Sequence, residues 1–406
     1  MRYLSSIFMQ NRGSCRPLTT PHTGLNGEFR ANTNISISSY KGNIISNTRL
    51  TNYAYIPLFA SDKVMRIEFF GNSMISSCNA IGPIDSQPLV YDIFGKNAFN
   101  WGTVSFTGLE DIRLVVWNDI LYGIGFRPDV IQNKVIAQLI EYNEDFTINR
   151  SWFLNTNKYM EKNWQPVEGR PFTFMYDPDK SSLLVLDIDK LHVADNDNMP
   201  TIINEIQTPD FSHILSGSSQ VIKLTNDQYL SICHTSHRYK DANMYEHWVY
   251  NHYFVIYDKD MNKVWQSDPF RFVCDCMEFT CGICRDNDNI CISFSMYDGI
   301  THLLSIPIDK FLNILMTLRD NPDAYEGKPN IEYMVESYDS NKTGGPDTLI
   351  YMLLLENFHR LDDISESNRP LLAALSHINE IHNEVLLYFI TRRTDCNHLL
   401  KEIIQQ

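Results

Sequence analysis

EDIRLVVWNDILYGIGFR, residues Glu110–Arg127, decides the fold in one short stretch. A polar start leads into an apolar run, the pair Asn118-Asp119 interrupts it, and a second run rich in β-branched and aromatic residues follows. An Asx-containing pair between two such runs is among the strongest short-range signals for a β-hairpin. The stretch therefore predicts two antiparallel strands joined by a tight turn.

Four more segments follow the same plan. They read ISISSYKGNIISNTRLTNY, EKNWQPVEGRPFTFMYD, GSSQVIKLTNDQYLSICH and EFTCGICRDNDNICISFSMYD, with turns at Lys41-Gly42, Glu168-Gly169, Asn226-Asp227 and Asn287-Asp288. A hairpin that recurs at intervals of roughly 50–60 residues has the period of a four-stranded propeller blade with its loops. The repeat predicts an all-β fold, a five-bladed β-propeller over residues 31–318. A β-sandwich with coincidental hairpins is the alternative.

The remaining chain is expected to lie outside the propeller. Residues 1–30 are predicted to be an N-terminal extension, 319–346 a linker or loop marked by Pro and Gly, and 347–406 a helical C-terminal extension. The helical prediction rests on an apolar stripe at helical spacing, which consists of Leu371, Leu375, Ile378, His382 and Val385. Such a stripe packs on its own protein, or joins a second copy into a homo-oligomer.

Composition narrows the class of protein. The chain has 406 residues, a formal charge of −15, 12% aromatic and 20% charged residues. A disordered chain is poorer in aromatics and richer in charge, and a nucleic-acid binder needs clustered Lys and Arg. No apolar run is long enough to span a bilayer, and the N-terminus lacks a secretory apolar region. We expect a cytoplasmic protein with reduced thiols and with neither nucleic acid nor membrane as a partner.

A propeller would gather the polar ends of its inner strands around one channel. The starts of the hairpins would bring polar groups there, namely Asn34, Glu110, Asp111, Glu161, Lys162, Asn163, Ser218, Ser219, Gln220 and Glu278. The ends of the second strands would add Arg49, Arg127, His234 and Asp298. Carboxylates beside cations in one pocket suit general acid chemistry and anion binding. The alternative is that these ions seal the channel as structural pairs.

The same residues carry a resemblance to a known family. Glu110-Asp111-Ile112-Arg113 resembles the Glu-Asp-Pro-Arg signature of the β-mannoside phosphorylase family, whose members are five-bladed propellers. The later hairpins resemble further motifs of that family in the same order, at Glu161-Lys162-Asn163-Trp164, at Gly217-Ser218-Ser219-Gln220 through His234, and at Glu278, Gly282 and Tyr297-Asp298. The similarity spans about residues 30–318.

The resemblance implies inverting transfer of a mannosyl-type residue to or from phosphate or a sugar acceptor. Asp111 corresponds to the general acid, which protonates the glycosidic oxygen through a sugar hydroxyl. One catalytic carboxylate then suffices, unlike the pair of ordinary glycosidases. Lys162 and His234 match anion-binding positions, and Arg127 lies where it could assist them. The other residues expected to bind substrate or phosphate are Asn34, Arg49, Glu110, Arg113, Asn163, Glu278 and Asp298. No cofactor is implied; phosphate, a sugar phosphate or a nucleotide sugar is the co-substrate, and an oligosaccharide or glycan is the partner.

The sequence also departs from the family pattern. Ile112 replaces the motif proline, and Asn163 follows Lys162 where many phosphorylases have Asp. Ser216 and Tyr253 stand where relatives often carry Arg, which removes a phosphate ligand. A glycosyltransferase that uses a nucleotide sugar and a non-catalytic propeller that binds glycans or proteins therefore remain alternatives.

A cysteine cluster offers a competing metal site. Cys274, Cys276, Cys281 and Cys284 have spacings that could hold a structural zinc ion. Cys281 and Cys284, however, fall where the relatives have small core residues. We interpret them as small buried apolar residues and predict no metal site.

Overall fold

A computed structural model describes most of the chain up to residue 325. The described residues are 2–18, 31–57, 65–69, 75–84, 86, 88–91, 99–101, 104–129, 134–156, 158–159, 162–194, 203–210, 212, 214–240, 246–273, 277–296 and 300–325. The predicted C-terminal helices lie outside the described residues.

Five sheets follow one another along the chain, and we number them sheets 1 to 5. Sheet 1 contains β3 (Ala31–Tyr40), β4 (Asn43–Thr51), β7 (Ile75–Pro83), β8 (Leu89–Tyr91), β9 (Phe99–Trp101) and β10 (Val104–Thr107), with a separate hairpin of β5 (Tyr53–Pro57) and β6 (Met65–Phe69). Sheet 2 contains β11 (Glu110–Trp117), β12 (Ile120–Asp129), β13 (Lys134–Tyr142), β14 (Ile148–Thr156) and β18 (Asn204–Ile206). Sheet 3 contains β15 (Gln165–Pro166), β16 (Thr173–Asp177) and β17 (Ser182–Val185), and a short 3-10 helix (Ile188–Lys190) follows.

The last two sheets also take in the start of the chain. Sheet 4 contains β1 (Arg2–Tyr3), β19 (Ser216–Gly217), β20 (Ile222–Lys223), β21 (Gln228–Lys240), β22 (Glu246–Asp258), β23 (Lys263–Gln266) and β24 (Phe270–Arg271). Sheet 5 contains β2 (Ser14–Pro17), β25 (Glu278–Asp286), β26 (Asn289–Met296) and β27 (Ile300–Pro307). The helices are α1 (Leu4–Gln10) and α2 (Ile308–Asp320).

The sheets contact one another in chain order and close on themselves. β3 contacts both β11 and β25, β11 contacts β15, β16 contacts β19, and β21 contacts β25. The all-β, propeller-like architecture is therefore confirmed. The expectation of five four-stranded blades is not met: within the described residues four sheets have four or more strands, and sheet 3 has three.

The five predicted hairpins are all present, as β3–β4, β11–β12, β15–β16, β20–β21 and β25–β26. The backbone of their turns explains the residue types. Lys41 and Gly42 have φ of 50° and 78°, and Asn118 and Asp119 have φ of 50° and 61°. Two successive left-handed residues match the right-handed twist of the flanking strands, and Asn, Asp and Gly adopt this conformation most easily.

The N-terminal segment belongs to the ring. β1 pairs with β24 of sheet 4, and β2 pairs with β27 to give sheet 5 its outer strand. Residues 2–17, predicted as part of an extension, thus supply edge strands. The backbone groups of β24 and β27 gain hydrogen-bond partners in this way.

Helix α2 begins directly after β27, inside the range predicted as propeller. Its buried residues Phe311, Ile314 and Leu315 join Phe8 of α1 and Phe254 of sheet 4 in one apolar cluster. The apolar spacing along α2 is helical, but the helix directly follows the last hairpin strand, so the sequence pattern merges it with the propeller. Among the described helices, none has the length and apolar character to cross a membrane.

Bulges in the inner strands aim polar side chains at the middle of the ring. The register slips between Thr33 and Ser36 in β3, and between Glu110 and Arg113 in β11. A third slip lies in β25, after Phe279. Each bulge inserts a residue that leaves the alternating pattern and can be re-aimed.

Left-handed residues accompany these irregularities. Asn34 and Asp111 lie at the first two bulges with φ of 45° and 51°, and Asn163, just before β15, has φ of 67°. Asn and Asp tolerate this conformation better than other residues that have a Cβ atom. The inner ends of sheets 1, 2 and 3 are therefore built from Asx residues.

We expect Gly282→Ala to destabilise the ring at the contact between sheets 5 and 1. A Cβ at Gly282 would lie 2.4 Å from the backbone nitrogen of Ile37. Neither backbone can yield without moving its sheet, so we expect a loss of about 2–3 kcal/mol in the free energy of unfolding, as for other overpacked sites. Urea unfolding measures this loss.

Gly42→Ala is the matched control for that experiment. No atom lies within 4 Å of a Cβ there, so its cost is the left-handed φ alone, about 1 kcal/mol. Equal losses in the two variants would contradict the close contact between Gly282 and β3.

Candidate active site at the inner strands

Asp111 occupies the bulge of β11 and keeps one carboxylate oxygen open. Asn34 donates from Nδ2 to Oδ1 of Asp111 at 2.7 Å, and Nη1 of Arg49 lies 3.4 Å from the same oxygen. Among the described residues none donates a hydrogen bond to Oδ2. The side chain is 15% exposed, so this oxygen is accessible to a ligand.

Asn34 is fixed in the orientation that serves Asp111. Its Oδ1 accepts hydrogen bonds from the hydroxyls of Thr33 at 3.0 Å and Ser295 at 2.9 Å. Its amide nitrogen must therefore point the other way, toward the carboxylate. The predicted substrate contact of Asn34 gives way to a positioning role in the described arrangement.

Glu110 links the two cations of the site. Its Oε1 lies 2.7 Å from Nη2 of Arg49, and its Oε2 lies 3.7 Å from Nζ of Lys162. Arg49 is buried and contacts both Glu110 and Asp111. Lys162 is 39% exposed and is held by a long contact, so it is the cation that a ligand can recruit most easily.

The electrostatic balance keeps Asp111 ionised. Burial by itself would raise the pKa of Asp111, but the positive charges of Arg49, Arg113 and Lys162 and the hydrogen bond from Asn34 outweigh it. The net effect lowers the pKa below its ordinary value of 3.8. In the free site Asp111 is thus a hydrogen-bond acceptor at neutral pH.

His234 lies beside this group as a neutral ring. Burial first, and then the charge of Arg113, lower the pKa of His234 to about 3, against an opposing effect of Asp111. Its Nδ1 shares a 2.7 Å hydrogen bond with the Ser218 hydroxyl, and its ring packs edge-on against Phe279. A neutral imidazole offers an anion at most one N–H group and no charge.

Arg113, expected to bind substrate or phosphate, is committed to acceptors within the protein. It is fully buried, and its guanidinium donates to three protein acceptors. Nε donates to the Ser218 carbonyl at 3.0 Å, Nη1 to the Asp111 carbonyl at 2.6 Å, and Nη2 to Oδ1 of Asn163 at 2.9 Å. Arg113 therefore joins sheets 2, 3 and 4 beneath the site, and Asn163 is committed to it.

Arg127 does not join the group, and the strand register gives the reason. Glu110 pairs directly with Phe126, so Phe126 faces the same side as Glu110. Arg127 is the next residue and points to the opposite face of β12. There its guanidinium lies 5.3 Å from the ring centroid of Phe153.

Glu278 is also placed differently from the prediction. It is fully buried, and its two oxygens accept the backbone N–H groups of Phe272 at 2.6 Å and Val273 at 2.7 Å. These bonds fix the segment that follows β24. The predicted residues Glu161 and Asp298 lie outside the described residues.

Ser295 is a residue of the site that sequence reasoning missed. It pairs with Phe279 in sheet 5, as Arg49 pairs with Thr33 in sheet 1. Its hydroxyl accepts the backbone N–H of Asn34 and donates to the Asn34 side chain. Ser295 lies as many residues after its hairpin turn as Arg49 lies after the turn of sheet 1, so comparing equivalent positions in the two hairpins would have identified it. The search for a charged residue at the end of the strand selected Asp298 instead.

The described residues contain no cluster of three or more His, Cys, Asp or Glu that could hold a metal ion. Cys281 and Cys284 are buried thiols. Burial raises the pKa of the Cys284 thiol well above its ordinary value. Cys274 and Cys276 lie outside the described residues.

Solved structures with a similar fold include proteins of the group that the sequence motifs resemble. A mannose phosphorylase from Leishmania mexicana in complex with phosphate ion has a TM-score of 0.43 and 13% identity over 74% of this chain and 91% of its own. A GDP-Man-dependent mannosyltransferase from Leishmania mexicana has a TM-score of 0.41 and 15% identity over 74% and 92%. A β-1,2-mannobiose phosphorylase from Listeria innocua has a TM-score of 0.41 and 13% identity over 78% and 99%.

No family model and no curated protein matches the chain.

We expect Arg113→Met to cost about 3 kcal/mol in the free energy of unfolding. The substitution keeps much of the volume but leaves the carbonyls of Asp111 and Ser218 and the Asn163 side chain without their buried donor. Urea unfolding measures the loss. Arg319→Met, at a side chain that is 55% exposed, is the control and should change stability by less than about 0.5 kcal/mol. Equal effects would contradict the central role of Arg113.

The lowered pKa of Asp111 predicts a pH-dependent difference between the wild type and Asp111→Asn. A carboxylate with a depressed folded-state pKa stabilises the fold above its ordinary value of 3.8, and this contribution is lost as pH falls through the folded-state pKa. The difference in unfolding free energy should be largest near pH 7 and shrink below pH 3.8. A difference that stays constant from pH 7 to about pH 3 would refute the ionised state.

Proposed function

We propose that this chain is a carbohydrate-active propeller, an inverting glycoside phosphorylase or glycosyltransferase that acts on β-mannosides or related sugars. The observation that supports it most is Asp111, re-aimed by a bulge, with one oxygen held by Asn34 and Arg49 and the other open. The motif that contains Asp111 is the one that resembles the β-mannoside phosphorylase signature.

The open oxygen suits contact with a sugar hydroxyl. An ionised Asp111 accepts a hydrogen bond from that hydroxyl and orients the sugar. When Asp111 carries a proton, it passes this proton through the hydroxyl to the glycosidic oxygen. In phosphorolysis the bond between that oxygen and the anomeric carbon breaks, a phosphate oxygen forms the new bond, and Asp111 returns to the carboxylate. In transfer from a sugar nucleotide the same path runs in reverse: the Asp111 carboxylate takes the proton of the acceptor hydroxyl through the sugar hydroxyl, the acceptor oxygen bonds to the anomeric carbon, and the nucleoside diphosphate leaves.

Lys162 and Arg49 are the cations that would bind the phosphate group of the acceptor or the donor. Lys162 is exposed enough to bind an anionic oxygen, and Arg49 lies on the other side of Glu110. Lys is a point charge for phosphate oxygens, and Arg can add a directional hydrogen bond. Phosphate, a sugar phosphate and the diphosphate of a nucleotide sugar share this chemistry.

One observation favours transfer from a sugar nucleotide over phosphorolysis. Ser216 pairs with His234, and the hydroxyl of Tyr253 lies 3.3 Å from that of Thr235, at the two positions where the resembled family often carries Arg. With these arginines absent and Arg113 committed to protein acceptors, the described site offers fewer cations to a free phosphate ion.

Activity assays separate the alternatives. The chain is incubated with β-manno-oligosaccharides with and without phosphate, and with mannose 1-phosphate or GDP-mannose plus a sugar acceptor. Phosphate-dependent cleavage supports the phosphorylase, and transfer from GDP-mannose supports the transferase. Binding on a glycan array without turnover of any donor supports the non-catalytic alternative and overturns the proposed enzyme.

We expect Asp111→Asn to lower kcat/KM by about 10²–10⁴-fold, the range for loss of a general acid. Asp260→Asn is the control, because Asp260 is a 66% exposed carboxylate in a surface pair with Lys259. The control should keep the wild-type rate. Unaltered activity in Asp111→Asn would refute the acid role of Asp111.

A further inference from the structure

The described groups of the site carry more positive than negative charge, whereas the whole protein has a negative net charge. Three cations act on Asp111: Arg49, Arg113 and Lys162. Two carboxylates face them, those of Glu110 and Asp111. Among the described groups of the site, one positive charge thus lacks a carboxylate partner, while the whole chain has a formal charge of −15. A surplus charge in a mostly buried site favours a counter-ion.

The three cations differ in how available they are. Arg113 is fully buried and donates to three protein acceptors. Arg49 is buried, and its guanidinium contacts the carboxylates of both Glu110 and Asp111. Lys162 is 39% exposed and lies 3.7 Å from Glu110. An entering oxyanion therefore meets Lys162 first and then competes with Asp111 for Arg49.

Two opposing effects act on the proton of Asp111. Burial favours the neutral carboxylic acid, and the neighbouring cations favour the carboxylate. An anion that binds to Lys162 and Arg49 cancels the second effect and excludes water, which strengthens the first. Both changes act in the same direction, toward the protonated form.

We propose that binding of an oxyanion against Lys162 and Arg49 converts Asp111 from the carboxylate to the carboxylic acid, so that the site acquires its acid only when the anionic co-substrate is present. The inference rests on the proposed function, since it concerns the same carboxyl group. In the direction that cleaves a glycoside, Asp111 takes the proton from solvent as the anion binds. It gives this proton to the departing glycosidic oxygen when the bond to the anomeric carbon breaks, and an oxygen of the bound anion forms the new bond to that carbon.

The other groups that face Asp111 differ from it in how they respond to a bound anion. Asn34 of β3 is an amide and does not titrate. Glu110 neighbours Asp111 on β11 and shares Arg49 with it. His234 of β21 has a pKa of about 3 and stays neutral in the working range. The Asn34 amide and the neutral His234 ring therefore do not take up this proton. Glu110 contacts the same two cations, so the measurement has to follow the carboxyl group of Asp111 itself.

The coupling has two consequences that follow from linkage. Protonation of Asp111 must strengthen anion binding by the same factor by which the anion favours protonation, so anion affinity rises as pH falls. In addition, a sugar bound without the anion meets a carboxylate rather than an acid. Water then cannot replace the acceptor efficiently, and hydrolysis is suppressed.

The test is a titration of the Asp111 carboxyl group by ¹³C NMR in the full chain, with the signal assigned by its loss in Asp111→Asn. Titrations are run in sodium chloride, in inorganic phosphate and in GDP at matched ionic strength, because salt alone screens the cations. Calorimetry records binding of each probe. We expect the midpoint of Asp111 to rise by about 1–3 pH units in phosphate, in GDP, or in both, and not in sodium chloride.

Two lysine variants make the result specific. Lys162→Met should abolish most of the rise, whereas Lys41→Met should leave it intact, because Lys41 pairs with Glu144 at an exposed site. A probe that binds without moving the Asp111 midpoint overturns the proposal, and so does failure of both probes to bind. A raised midpoint without turnover of any donor would leave the coupling standing and refute the proposed enzyme; turnover without a raised midpoint would do the reverse.

Discussion

The buried guanidinium of Arg113 is the interaction on which the rest of the site depends. It lies where sheets 2, 3 and 4 meet and donates to the carbonyls of Asp111 and Ser218 and to the Asn163 side chain. The bulge of β11 is thereby held with Asp111 in a left-handed conformation. A buried cation with three well-placed acceptors resists rearrangement, because each broken bond would leave a desolvated group.

Much of the fold could be predicted from local turn chemistry. The turns at Asn118-Asp119 and Lys41-Gly42 have a left-handed backbone, which Asn, Asp and Gly adopt most easily. Because these residue types are typical of such turns, the sequence predicts the hairpins. Two features escape such patterns because they depend on distant partners. β2 completes sheet 5 from the opposite end of the chain, and sheet 3 has three described strands although its hairpin looks like the others.

The sequence predicts which residues lie near the site better than it predicts what each of them contacts. Asn34 and Asp111 lie at bulges, and beside them Arg49 contacts both Asp111 and Glu110, while Glu110 also contacts Lys162. The sequence does not show, however, which face of the sheet a polar residue at the end of a strand points to. Arg127 follows Phe126, the partner of Glu110, and therefore points to the opposite face of the sheet from the site. Burial likewise assigns Arg113 and Glu278 to the protein's own backbone.

The central claim is that Asp111 meets a sugar and that Lys162 and Arg49 meet its anionic partner. A crystal structure of the chain with mannose and inorganic phosphate tests it most directly. We expect a sugar hydroxyl within hydrogen-bond distance of Oδ2 of Asp111 and a phosphate oxygen in contact with Nζ of Lys162. A sugar bound away from the inner strands, with Asp111 still facing solvent, would contradict it.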